Sequence, residues 1–217
     1  MKKRTAIAAA EVALAAGVVV GHNVFHVVPN EVPILILVGL ASLMIRRQSP
    51  RSIGFVRPSS WQRTILIAAA TAVALQLVST YVTEPLVTRF THRPEDLSDF
   101  RPLVGNVKLA LVALTLIWTF AAFGEEFVYR GYILTRMADA AGNSPRAWAF
   151  SVLGGAVLFA IGHYYQGPTG MVDSGVTGVV LGTLYVRSGR NLWATILAHG
   201  LTDTIALAVV FTGLAKV

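Results

Sequence analysis

The run Leu109-Ala-Leu-Val-Ala-Leu-Thr-Leu-Ile-Trp-Thr-Phe-Ala-Ala-Phe-Gly, followed at once by Glu125-Glu126-Phe-Val-Tyr-Arg130-Gly131, decides how the chain is read. Its first part carries no charge, and with the residues beyond it suffices to cross a bilayer, for which about 20 apolar helical residues are needed. Two adjacent carboxylates in such a segment are expensive, since a charge near the bilayer centre costs roughly 2.5–3.5 kcal/mol on insertion scales. With Arg130 one helical turn beyond Glu126, the pair marks a functional site.

Composition supports the membrane reading. Hydrophobic residues make up 54% of the 217, charged residues 13%, and mean hydropathy is +0.63. A soluble domain averages about 25% charged residues. The chain has no cysteine, which excludes disulfides, thiolate nucleophiles and cysteine-ligated metals. Apolar runs predict spans at roughly 5–28, 33–45, 61–82, 109–137, 147–166, 171–187 and 191–213. With the N-terminus cytoplasmic, thirteen of the 18 Lys and Arg residues fall on the cytoplasmic side: Lys2 to Arg4, the five from Arg46 to Arg63, then Arg130, Arg136, Arg146, Arg187 and Arg190. The remaining five are Arg89, Arg93, Arg101, Lys108 and Lys216. This asymmetry orients the chain and accounts for the net charge of +7 without a nucleic-acid partner. Met1-Lys-Lys-Arg ahead of an apolar run imitates a signal peptide, but the run contains Glu11 and continues to Val28, so it reads as a first transmembrane helix.

The predicted fold is all-α, a polytopic transmembrane bundle of about seven spans, six to eight because 33–45 is short for a perpendicular crossing. Arg46 to Arg63, with Pro50, Gly54 and Pro58, reads as a cytoplasmic connector. Thr83 to Asn106, with Pro85, Pro94 and Pro102, reads as an outer loop. It divides a single membrane domain, 1–217, into N-terminal helices and loop (1–105) and a catalytic four-helix core (106–217). Small residues such as Gly178 and Gly182 suit close helix approach there.

Three further ionisable residues fall in the later spans: His163, His199 and Asp203. His199 and Asp203, four apart, share a helix face. At 1.5 Å per residue from the inner helix ends, Glu125 lies ~20 Å up, His163 ~24 Å, His199 ~10 Å and Asp203 ~16 Å. Residues from three helices thus approach a common level. Glu126 with Arg130 reads as a structural ion pair, and His22 and His26 as interfacial residues at the outer end of the first helix. A carboxylate in an apolar site can act as general base on water, with one imidazole sharing that water and another stabilising an oxyanion. Alternatively Glu125, His163 and His199 would ligate a divalent metal such as zinc, leaving a position for water. Both routes hydrolyse an acyl bond.

The three motifs Glu125-Glu126-Phe-Val-Tyr-Arg130, Phe159-Ala-Ile-Gly-His163 and His199-Gly-Leu-Thr-Asp203 resemble, in this order, those of the CPBP family of intramembrane proteases. That group contains the CAAX prenyl proteases of the Rce1 type and bacterial Abi proteins. The resemblance runs from about residue 115 to 205 and includes Asn191-Leu-Trp-Ala-Thr-Ile-Leu-Ala ahead of His199. It implies an endopeptidase cutting near the C-terminus of a membrane-associated peptide, including prenylated CAAX-type peptides. Glu125 would be the general base, with His163 positioning the water. His199 and Asp203 would stabilise the oxyanion, and Glu126 and Arg130 would support the site. The mechanism implied is glutamate-dependent without metal, or metallo-endopeptidase. Asp203 stands where the prenyl-protease branch commonly has Asn, and an ionised Asp cannot donate to an oxyanion. The expected partners are membrane lipid and a hydrophobic or lipidated peptide, and the expected location a bacterial cytoplasmic membrane. The competing reading is a non-proteolytic peptide-binding or immunity module in which the polar cluster is structural. A proton-coupled transporter fits less well, because no internal repeat is visible.

Overall fold

The computed structural model describes residues 2–215, with side chains from Arg4 onward; Lys216 and the Lys2 and Lys3 side chains lie outside the described residues. Among the described residues every regular element is helical. In chain order the main helices are α1 (Lys2–Asn23), α2 (Glu31–Ile45), α3 (Trp61–Thr91), α4 (Val107–Ala140), α5 (Pro145–Gly162), α6 (Gly167–Arg187) and α7 (Leu192–Phe211). By length and composition α1, α3, α4, α5 and α7 can each cross a membrane. α2 has 15 residues and is the short apolar helix anticipated for 33–45.

Helix starts follow local chemistry. Asn30, Ser60, Asn106, Ser144 and Asn191 each accept a backbone N–H of the first turn, opening α2, α3, α4, α5 and α7. Pro145 occupies the first turn of α5, where its missing N–H is no loss.

Two helices depart from the ideal. The expected outer loop from Thr83 begins only at His92, because α3 continues through Pro85 to Thr91. A proline inside a helix lacks a donor and collides with the carbonyl one turn earlier. Over Ser79–Thr83, just ahead of Pro85, the helix widens to i→i+5 bonding and so makes room for it. The second case is α4, which adopts the same wide pattern from Ile117 to Leu134, the stretch bearing both glutamates. A wider turn rises less per residue, so the ~20 Å depth assigned to Glu125 on α-helical rise is too large.

α4 is the central element. Its Phe127, Val128, Tyr132 and Ile133 are buried with Leu35 and Leu43 of α2, Ile53 of the following loop and Phe159 of α5. α5 and α6 approach closely where a Cβ on Gly178 would lie 2.8 Å from the Ala156 Cα. The ends of the bundle are tied separately. On the face bearing the start of α1, Leu192 N–H donates to the Gly54 carbonyl and the Asn191 amide to that of Val56. Arg136 there binds Glu11 at 2.9 Å, Asp139 at 3.0 Å and Gln48 at 2.9 Å. On the opposite face, Asp96 N–H donates to the Gln166 carbonyl and Gly105 N–H to that of Phe211. The flanks expose apolar side chains such as Leu37, Leu66, Phe150 and Val157, as lipid-facing surfaces do.

Candidate active site

The two glutamates of α4 have different surroundings. Glu126 is fully buried, and its Oε1 accepts from Arg130 at 2.7 Å and from His199 Nδ1 at 2.8 Å. Glu125 instead lines a cavity of about 180 Å³, and its Oε2 is buried without a hydrogen-bond partner. An unpaired buried polar atom beside a polar cavity is where water is expected to sit.

His163 reaches the same cavity from another helix. It stands not within a span, as expected for 147–166, but at the C-terminal cap of α5. Phe159-Ala-Ile-Gly supplies the last turn, and the glycine before the cap gives the chain room to bend into the short Tyr164–Gln166 turn. A Cβ on Gly162 would come within 2.8 Å of the Tyr129 hydroxyl. His163 Nδ1 lies 2.9 Å from the Phe159 carbonyl, an acceptor only, so Nδ1 carries hydrogen and Nε2 is the nitrogen left over.

His199 and Asp203 sit beside this cavity rather than in its lining, within electrostatic range of Glu125. One turn apart on α7, they are joined Nε2 to Oδ2 at 3.4 Å. His199 therefore has a carboxylate at each ring nitrogen. The Phe159 ring separates the two histidines, at 4.7 Å from the His163 ring and 5.9 Å from that of His199. Arg130 lies over the same ring at 4.4 Å. The phenylalanine of F-x-x-x-H is thus the spacer that sets how far apart the imidazoles stand.

The cavity also draws on helices outside the three motifs. Glu31, the first residue of α2, accepts from the Tyr129 hydroxyl at 3.4 Å and lies 3.2 Å from His22 Nε2. His22 Nδ1 in turn donates to the Val28 carbonyl at 2.8 Å. His22, Glu31, Tyr129 and Tyr165 all line the space around Glu125. Sequence reading gave His22 only an interfacial place and did not single out Glu31 or Tyr129. Charge opposite an apolar helix start was the one available signal, since Glu31 opens an otherwise apolar segment. His26 lies outside the cavity, in the turn after α1 with φ 55°.

The donor set does not suit a metal. Among the described residues no group of three or more His, Cys, Asp or Glu side chains is placed to hold one. Of Glu125, His163 and His199, the last has both nitrogens facing carboxylates, so it would have to leave one to become a ligand.

Residues 107–205, from α4 through most of α7, match the family model described as Type II CAAX prenyl endopeptidase Rce1-like. No curated protein and no solved structure matches the chain. The helices that bring Glu125, His163 and His199 together are those within the match. By its apolar helices the chain is an integral, multi-pass membrane protein, and its C-terminal part is similar to the Rce1-like CAAX-type intramembrane endopeptidases.

Proposed function

We propose that peptide hydrolysis in this protein runs through a water activated by Glu125 and positioned with His163. The observation that carries the reading is the contrast between the two glutamates. Each glutamate has an unpartnered Oε2, but Glu126 is committed through Oε1 to Arg130 and His199 and lies outside the cavity lining, whereas Glu125 lines the cavity shared with His163. A general base needs a lone pair that no fixed donor already holds.

Glu125 takes a proton from the water as its oxygen bonds to the scissile carbonyl carbon. The carbonyl π electrons move to oxygen, giving a tetrahedral oxyanion. His199 is the donor on the α7 side: Glu126 holds Nδ1, and the Nε2–H, only loosely bound to Asp203 at 3.4 Å, turns to the oxyanion. Asp203 orients that imidazole rather than donating itself. Collapse of the intermediate breaks the C–N bond, and the proton on Glu125 passes to the departing amine. No step is routed through a metal.

The substrate is a peptide with one end in or at the membrane. Glu125→Gln keeps shape but cannot accept the proton, and removing general-base catalysis typically costs 10²–10⁴-fold. Purified Glu125→Gln should therefore lose cleavage of a fluorogenic C-terminal peptide in detergent by roughly that factor while eluting and melting like the parent. His163→Ala should show a similar loss. Parental turnover by Glu125→Gln would remove the assignment.

A further inference from the structure

We infer that the catalytic cavity opens on the non-cytoplasmic side of the membrane, so that the substrate is a membrane-anchored peptide whose scissile segment lies on that side. The inference rests on the hydrolytic reading of the cavity and combines two independent observations.

The first is where the cavity sits. Its lining comes from the last turn of α1 (His22, Asn23), the first turn of α2 (Asn30, Glu31) and the end of α5 with the turn beyond it (His163, Tyr165). All three lie at the face opposite the start of α1. Glu125 and Tyr129 form its floor from the wide stretch of α4. Toward the other face the floor gives way to the buried side chains of Val128, Tyr132 and Ile133.

The second is the distribution of cations. Twelve of the 18 Lys and Arg residues fall at the face bearing the start of α1: three opening α1, five from the end of α2 to the first turn of α3, two near the α4–α5 connection and two near the α6–α7 connection. The opposite face has Arg89, Arg93, Arg101 and Lys108 among the described residues. Arg130 belongs to neither face, being buried against Glu126. Short, cation-rich connections stay in the cytoplasm, and acidic residues contribute little to this bias. The cation-rich face is therefore cytoplasmic and the mouth of the cavity faces away from it. A lipidated peptide confined to the cytoplasmic leaflet would meet the closed end. An exported or outward-facing anchored peptide would meet the open one.

Because the chain has no cysteine, single substitutions report sidedness without background. Asn30→Cys marks the cavity mouth, Asp99→Cys the loop on the same face, and Ser49→Cys the opposite face; all three positions are exposed. With the full chain in a bacterial cytoplasmic membrane, a membrane-impermeant maleimide added to intact right-side-out vesicles should label Asn30→Cys and Asp99→Cys as fully as after permeabilisation. Ser49→Cys should react only once the vesicles are opened. The reverse pattern, or equal labelling of both faces, overturns the inference. Cleavage by the same proteins in detergent is independent of sidedness. Loss of cleavage in the parent there would sink the hydrolytic reading and leave the labelling result to judge orientation by itself.

Discussion

Arg130 is the residue on which the geometry of the site depends most. It meets Glu126 at 2.7 Å, covers the face of Phe159 and is 2% exposed. Through the shared Glu126 oxygen it also fixes His199. Removing one partner of a buried ion pair is strongly destabilising, because the other charge stays buried without compensation. Arg130→Met should cost about 3–5 kcal/mol, read as a lower unfolding temperature in detergent. The double variant Arg130→Met with Glu126→Gln should recover part of that loss without recovering activity. The Glu126–Arg130 contact was legible from spacing alone, since i and i+4 meet on a helix. The bond from Glu126 to His199 was not, because 73 positions separate them and no local rule joins them. For the same reason Glu31, paired with Tyr129 across 98 positions, escaped notice.

At the level of helices, α5 and α6 set the position of His163. Their contact is backbone to backbone at Gly178, where an added Cβ would lie 2.8 Å from the Ala156 Cα. A backbone atom cannot swing aside, so Gly178→Ala forces the helices apart. Overpacking of this kind costs typically 1–3 kcal/mol, and it shifts the α5 end bearing His163. Gly178→Ala is thus expected to lower both thermal stability and cleavage rate. Gly175→Ala, whose Cβ would meet Ala160 at an ordinary 3.5 Å, should behave like the parent in the same assays. The helices themselves were readable from apolar runs and Asn or Ser caps. Their interruptions were less so: Pro85 looked like a loop residue because its wide accommodating turn is a feature of backbone bonding. The widening of α4 likewise leaves no mark in hydropathy, which is why depth reckoned at α-helical rise misplaced Glu125.

On the scale of the whole molecule, the loop after α3 clamps the face on which the cavity opens. Thr169 donates to the Arg93 carbonyl and Asp96 N–H to that of Gln166, so the loop holds the turn following His163. Burial, with Asp173 and Glu84 adding to it, pushes the Glu95 carboxyl in this loop from 4.5 up to about 7. The folded protein then holds this proton more tightly than the unfolded chain. The contribution to stability is full below about 4.5 and is lost as pH rises through about 7, amounting to at most about 3 kcal/mol. Thermal unfolding followed across that window should show the parent weakening toward higher pH and Glu95→Gln holding level. At the other face, Val128, Tyr132 and Ile133 are buried with residues of α2 and the loop after it, and Arg136 is held there by Glu11, Gln48 and Asp139. Hydrolysis inside a bilayer needs water drawn into the hydrocarbon layer, and a shaft of water open at both ends would conduct protons. The buried layer of Val128, Tyr132 and Ile133 beneath Glu125 makes the shaft a well, so water can be admitted without discharging the ion gradients of the membrane around it.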